Sequence, residues 1–189
     1  LEVQDAIQRI VRDANRASEV IGRIRGFLKR SRTDRSMVGM ADVIEDVVGL
    51  TRDSLKAADI HLVRHVDPDL PCVFADSVQL QQVILNLLMN SIEAMSTSGL
   101  SERRLELRVV RHGAVVAVSV TDSGAGAAPD DLDRMFEAFY TTKPDGMGMG
   151  LAICRSIVES HGGRLWASVN QKQGLTLQFS LPIAEPAET

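Results

Sequence analysis

Hydrophobic and polar positions follow two different rhythms along this chain, and the change falls near residue 37. Before it, Val3, Ile7, Ile10, Ala14, Ala17, Ile21, Ile24 and Leu28 recur at alternating steps of four and three. That is a heptad seam on one long helix. One helix cannot bury such a stripe alone. It either lies along its own domain or belongs to a bundle whose other helices come from elsewhere, and the bundle is the favoured reading. The charged run KRSRTDRS, residues 29–36, ends the helix as a linker.

From Met37 the pattern alternates between helical and strand periods. MADVIEDVVGLTRDSLKAA (40–58) reads as an amphipathic helix, IHLVRHV (60–66) as a strand and PDLP (68–71) as a turn. A second helix runs from Ser77 to Met95, with Leu80, Val83, Ile84, Leu87, Leu88, Ser91 and Met95 as its core stripe. Strands over 104–110 and 114–122 flank the turn RHG and form a hairpin. Two loops follow, from 123 to about 148, with a helix start and short helical pieces. A helix over 149–161 ends at HGG, where Gly162 or Gly163 suits a C-terminal cap. Strands 164–169 and 175–182 close the domain, and the tail AEPAET is read as disordered. The fold class is α/β, in its α+β two-layer form, with helices on one face of a mixed sheet. Three segments result: helix and linker at 1–36, an α/β domain at 37–183 and a tail at 184–189.

Composition narrows this little. The chain has 189 residues, 44% hydrophobic and 24% charged, which is ordinary for a globular protein. A net charge of −4 gives no footprint for nucleic acid. No apolar stretch approaches the roughly 20 residues of a membrane span. Leu1 sits inside a helical pattern, so a missing upstream part is expected. Cys72 and Cys154 are far apart and are expected to be two buried thiols in a reducing compartment.

Three places carry chemistry. On helix 77–95, Asn86, Asn90 and Glu93 are four and then three apart and share one face. Such a face is commonly just solvated, but asparagine is a mediocre helix former, and its amide oxygen is a hard neutral ligand for Mg²⁺ beside phosphates. In TDSGAG (121–126), Asp122 ends a strand and is followed by Gly124 and Gly126. It is either an ordinary turn or an acceptor for an exocyclic amine with room for a ligand. In GMGMG (146–150), glycines open a helix whose free N–H groups favour an anion, with Lys143 just upstream. These glycines also suit a mobile lid.

In order and spacing, NLLMN, DSGAG, FEAFYTTKP and GMGMGL closely resemble the N, G1, F and G2 boxes of sensor histidine kinases, over roughly residues 76–182. The resemblance implies the Bergerat ATP-binding fold, with ATP and Mg²⁺ as cofactors. It implies that Asp122 takes the adenine amino group, with Thr176 nearby through water, and that Gly124 and Gly126 shape the adenine pocket. Asn90 would ligate Mg²⁺, assisted by Asn86. Lys143 and the backbone at Gly146, Gly148 and Gly150 would hold the phosphates under a lid spanning about 127–148, with Met147, Met149 and Leu151 also lining the cofactor site; Phe136 and Phe139 would either anchor the lid in apolar surface or simply pack in the core. RASEVIGRIRGFLKR looks like the second helix of the family's dimerisation and phosphotransfer domain.

The family's phosphoacceptor is a histidine followed by an acidic residue on a helix. None of His61, His65, His112 and His161 has that context, so the acceptor is expected upstream of Leu1. ATPases of the fold carry a glutamate where this chain has Asn86, and a neutral amide takes no proton from water near pH 7. The expected function is therefore phosphoryl donation to a histidine outside the chain, for relay to a response regulator receiver domain. A homodimeric, cytoplasmic full-length kinase is expected, with no membrane contact by this segment. An ATPase and a nucleotide-controlled binding module are the alternatives.

Overall fold

Among the described residues, the periodicities sort into helices and strands as expected, with two short additions. A computed structural model describes residues 34–96, 102–143, 146–170 and 173–184. The helix read over residues 1–30 lies outside the described residues, as does the tail from 185.

Strand β1 (Ser36–Val38) leads into helix α1 (Met40–Ala57) and strand β2 (Ile60–Val66). Strand β3 (Val73–Ala75) precedes helix α2 (Ser77–Ser96). Strands β4 (Arg103–His112) and β5 (Val115–Asp122) form a hairpin, followed by the one-turn helix α3 (Asp131–Arg134). Helix α4 (Gly150–Ser160) and strands β6 (Arg164–Val169) and β7 (Leu175–Pro182) complete the order.

The main sheet has the order β2-β4-β5-β7-β6. Only β2 and β4 are parallel, because the chain between them crosses over through α2; the other neighbours are antiparallel. Period-two alternation aims Leu105, Leu107 and Val109 of β4, Val116, Val118 and Val120 of β5, and Leu177, Phe179 and Leu181 of β7 into one core. The helices cover that face with Val43, Ile44 and Val47 of α1, Leu80, Ile84, Leu87 and Leu88 of α2, and Cys154 and Val158 of α4. The opposite strand positions, Glu106, Arg108, Ser119 and Gln178 among them, make the other face of this two-layer fold.

Three-residue strands are too short to show a period, so β1 and β3 were invisible in the pattern. They pair antiparallel, Met37 opposite Phe74, beside the main sheet. The end of β7 joins them: Ile183 bridges to Val73, and the Ala184 N–H donates to the Cys72 carbonyl at 2.9 Å. This bears on the expected pair of buried thiols. Cys154 is buried in the core, but Cys72 is exposed, because its neighbour Val73 takes the inward position of the alternation.

His161 caps the C-terminus of α4, and Gly162 follows it with φ +74°. The imidazole Nε2 accepts the Asp76 N–H at 3.1 Å, and Nδ1 lies 2.8 Å from the Ile157 carbonyl. Asp76 in turn accepts the N–H groups of Val78 and Gln79 through Oδ1, capping α2. This buried histidine ties the end of α4 to the start of α2 and is committed to structure.

Candidate functional site

Helix α2 is the floor of the site. Its apolar stripe turns Leu80, Val83, Ile84, Leu87 and Leu88 into the core, which leaves Asn86, Asn90 and Glu93 along the opposite, more open side. Asn86 and Asn90 are half-buried, and Glu93 is exposed.

Asp122 ends β5 on the inward side and is only 4% exposed. Its Oδ1 accepts the Gly124 N–H at 2.9 Å and the Leu175 N–H at 3.2 Å. Burial pushes the carboxyl above its ordinary value; the two backbone donors and the nearby Ser91 hydroxyl oppose that shift. The Asn170 amide fixes the backbone by donating to the Asp122 carbonyl at 2.9 Å. An acceptor so oriented suits an amino group entering from the loop side.

The loop after β5 carries the cationic part. Lys143 Nζ lies 2.5 Å from Glu93 Oε2 and 3.3 Å from Asn90 Oδ1. A residue fifty positions downstream of Glu93 thus returns to the polar face of α2. The short helix α3 is held through Tyr140, whose hydroxyl donates to Asp131 Oδ1 at 2.5 Å while Arg134 lies 4.6 Å from its ring centroid. That bond to the carboxylate raises the Tyr140 pKa above its ordinary value.

The GMGMG run resolves into unlike parts. Gly148 has φ +64°, and its carbonyl accepts the Phe139 N–H at 3.0 Å. A Cβ there would overlap the Phe139–Tyr140 backbone, so packing within the loop requires this glycine. Gly150, the first residue of α4, is different: an added Cβ would come no closer than 4.0 Å to Asn86 Oδ1. Nothing inside the chain demands glycine there, and the side facing Asn86 stays open. Met149, at the N-cap, gives no side-chain cap, so the first N–H groups of α4 point out unsatisfied by any cap. Met147, Met149 and Leu151 are half-buried, with Leu151 packed on the core. Gly146 donates its N–H to the Lys143 carbonyl at 3.1 Å, and Gly126 lies against Gly174.

The structure therefore brings Asn86, Asn90, Lys143 and Gly150 together around one side of α2, with Asp122 and Gly124 further along the same helix near Ala94. Two expectations do not hold. Thr176 pairs with Thr121, not with Asp122, and period-two alternation puts both threonines on the sheet face away from the core. Its hydroxyl lies 2.9 Å from that of Thr121 and 2.5 Å from Asn170 Oδ1. The residue beside Asp122 is Leu175, which acts through its N–H. Phe139, expected to anchor the loop in apolar surface, is 76% exposed with φ +70°; turning its N–H toward Gly148 sends the ring outward. Phe136 does anchor it, 4% exposed and with the Arg155 guanidinium 4.4 Å from its ring centroid. The sequence reading missed Glu93 as a partner of Lys143, although both had been picked out.

The donors fit a nucleotide with a divalent cation. Among the described residues no three His, Cys, Asp or Glu side chains gather in a metal-ligating group. The oxygen ligands on offer are neutral asparagine amides, the kind Mg²⁺ accepts when phosphates supply the negative charge.

This fold and this ring of residues define a family, and the sequence comparison agrees. Residues 75–185 match the model of the family described as histidine kinase-, DNA gyrase B-, and HSP90-like ATPase. The chain belongs to that family. Among curated relatives, it is 38% identical over 187 residues to the sensor protein FixL of Bradyrhizobium diazoefficiens, covering 97% of this chain and 36% of FixL. The chain thus spans about a third of that relative's length. Among solved structures, full-length ShkA in complex with AMPPNP aligns at 27% identity and a TM-score of 0.77, over 96% of this chain and 40% of that one. The histidine kinase ThkA in complex with the response regulator protein TrrA aligns at 26% identity and a TM-score of 0.78, over 95% of this chain and 51% of that one.

Proposed function

We propose that residues 37–183 are the ATP-binding catalytic domain of a two-component sensor histidine kinase, and that residues 1–36 supply part of its dimerisation and phosphotransfer helix. The observation that carries this reading is the convergence on α2. Lys143 reaches the Asn90 amide at 3.3 Å, while the uncapped, side-chain-free start of α4 faces Asn86. Asn90 holds Mg²⁺ with help from Asn86. Lys143, with the backbone of Gly146, Gly148 and Gly150, takes the phosphates. Asp122 accepts the adenine amino group beside Gly124. Mg²⁺ supplies charge neutralisation at the phosphates, and the protein supplies positioning, which together are most of what phosphoryl transfer requires. The acceptor is a histidine other than His61, His65, His112 and His161. The partner is the receiver domain of a response regulator, and the full-length kinase is a cytoplasmic-facing homodimer in this region. Likeness to FixL, and to ThkA solved with a response regulator, supports the assignment.

Hydrolysis is disfavoured because the side chain a turn before Asn90 is the neutral Asn86, and the Glu93 carboxylate is engaged by Lys143. The test is incubation with Mg²⁺ and γ-labelled ATP, of the chain alone and of the chain fused behind a histidine-bearing helical bundle. Acid-labile phosphoprotein should appear only in the fusion, with little free phosphate. Release of phosphate over many turnovers by the chain alone would make it an ATPase.

A further inference from the structure

Glycine inside a helix destabilises it relative to alanine, so a mid-helix glycine asks for a reason. Gly49 stands exposed in the middle of α1, and a Cβ built on it would meet nothing within 4 Å. No packing among the described residues requires glycine there. What the missing side chain leaves clear is a groove between α1 and β2, of about 300 Å³. Val48 and Leu55 of α1 and Ile60 and Leu62 of β2 line it with apolar surface.

β2 is also an edge strand. β4 pairs with it on one side, and among the described residues no strand lies on the other. The register says which backbone groups are left over. Asp67, just past β2, donates its N–H to the Val109 carbonyl at 3.0 Å, so the odd-numbered positions face β4. By alternation Ile60, Leu62, Arg64 and Val66 turn their N–H and C=O groups to the free edge. The side chains of these four residues lie on the helix side of the sheet, toward the groove. A bare edge is open to pairing with another strand, and proteins commonly blunt it with charge. Here that happens at one end only, where Arg64 Nη1 bonds Glu45 Oε1 at 2.6 Å. Nearer the α1–β2 turn the rim carries Arg52 and Lys56, both exposed and neither in an ion pair among the described residues.

We propose that this groove receives an extended acidic peptide segment, which adds to the free edge of β2 as a sixth, antiparallel strand of the main sheet. Backbone hydrogen bonds to Leu62 and Arg64 give affinity, and the groove gives selectivity. Every second side chain of the incoming segment drops between α1 and the sheet. Beside Gly49 an apolar side chain fits, because the helix offers no Cβ against it. Beside Arg52 and Lys56 the fitting side chain is a carboxylate, which meets two cations not yet neutralised. The groove is separate from the proposed ATP site and does not depend on it.

The test titrates the full chain with a capped octapeptide, Thr-Val-Thr-Val-Thr-Glu-Thr-Glu, whose valines and glutamates take the groove side. In an antiparallel pair, residues directly opposite share a face, so the valine and glutamate nitrogens face β2 and the threonine nitrogens face solvent. The peptide should bind and slow hydrogen exchange at the Leu62 and Arg64 amides. Methylating the valine and glutamate nitrogens should abolish binding, and methylating the threonine nitrogens should not. A copy with lysine for both glutamates should bind about 3- to 30-fold more weakly at low ionic strength. Gly49→Leu should bind the acidic peptide at least about tenfold more weakly, since leucine takes the space of one buried valine. Its Tm should match or exceed the wild type, and its ATP binding should be unchanged. No saturable binding up to about 1 mM peptide, equal binding of the two methylated copies, or full affinity in Gly49→Leu overturns the proposal. Equal binding of the lysine copy overturns the choice of an acidic segment.

Discussion

The two ends of the site are built in opposite ways. At one end Asp122 is sealed to 4% exposure, and its carboxylate is fixed by two backbone N–H groups. At the other, Lys143 reaches the polar face of α2 from a long loop, its side chain 43% exposed and held by one ion pair to a Glu93 side chain that is 54% exposed. A buried, preorganised acceptor gives discrimination, because a wrong partner leaves desolvated groups unpaired. An exposed, exchangeable cation gives charge that can follow a ligand, with a small stake in stability. In the proposed function the first end reads the base and the second handles phosphate.

The sharpest way to break this contrast is Asp122→Asn. Loss of a hydrogen bond to a charged acceptor should weaken ATP binding about 10- to 100-fold. Stability should move the other way. Burial holds the Asp122 pKa above its ordinary 3.8, so the folded state binds the proton more tightly than the unfolded chain. Between those two values stability falls as pH rises, and at neutral pH the ionised carboxylate is a cost. The asparagine variant lacks that cost and still offers an oxygen to Gly124 and Leu175. Its Tm should match or exceed the wild type at pH 7, with the difference shrinking as pH falls through the raised Asp122 pKa and levelling off below its ordinary 3.8. ATP binding by the wild type should weaken on acidification through the raised Asp122 pKa, a step missing in the variant. Calorimetric titration and thermal melts across pH would show both. A variant that melts earlier at neutral pH would make Asp122 structural.

What the sequence showed of these two ends differs for the same physical reason. Period-three-to-four and period-two patterns are set by burial, so α1, α2, α4 and the five strands of the main sheet were legible. So was the inward position of Asp122, in phase with Val116, Val118 and Val120. The short β1–β3 pair, with three residues in each strand, has no period to read. Thr176 was misplaced by one residue, and in a strand one residue means the opposite face. Phe139 was misread because its outward course depends on a left-handed backbone turn, which composition does not encode. The Lys143–Glu93 pair joins residues fifty apart, and only the path of the loop brings them together.

The second prediction concerns Asn90, the proposed metal ligand. Asn90→Ala removes the amide oxygen that lies 3.3 Å from Lys143 Nζ. If that oxygen is a Mg²⁺ ligand, binding of Mg-ATP should fall by roughly tenfold, about the effect of one good charge-assisted bond, while metal-free ATP binds nearly as before. Titrations with Mg²⁺ and with excess chelator separate the cases. Equal loss in both would mean that Asn90 serves Lys143 or the fold, and not a cation.

The smallest effect, and the most informative about the exposed end, belongs to Glu93→Gln. In this structure Lys143 is engaged by Glu93, so phosphate must draw the ammonium away from a carboxylate that also repels it. Removing that charge should tighten ATP binding about two- to fivefold at low ionic strength, the range of an exposed ion pair. The gain should fade toward physiological salt as the Debye length shortens to about 8 Å. Tm should change little, since the pair stands in solvent. Lys143→Met should weaken binding, and in that background Glu93→Gln should retain only the part that comes from relieved repulsion. Weaker binding by Glu93→Gln would reverse the reading: the carboxylate would then be aiming Lys143 at the phosphates, and the exposed end would be preorganised after all.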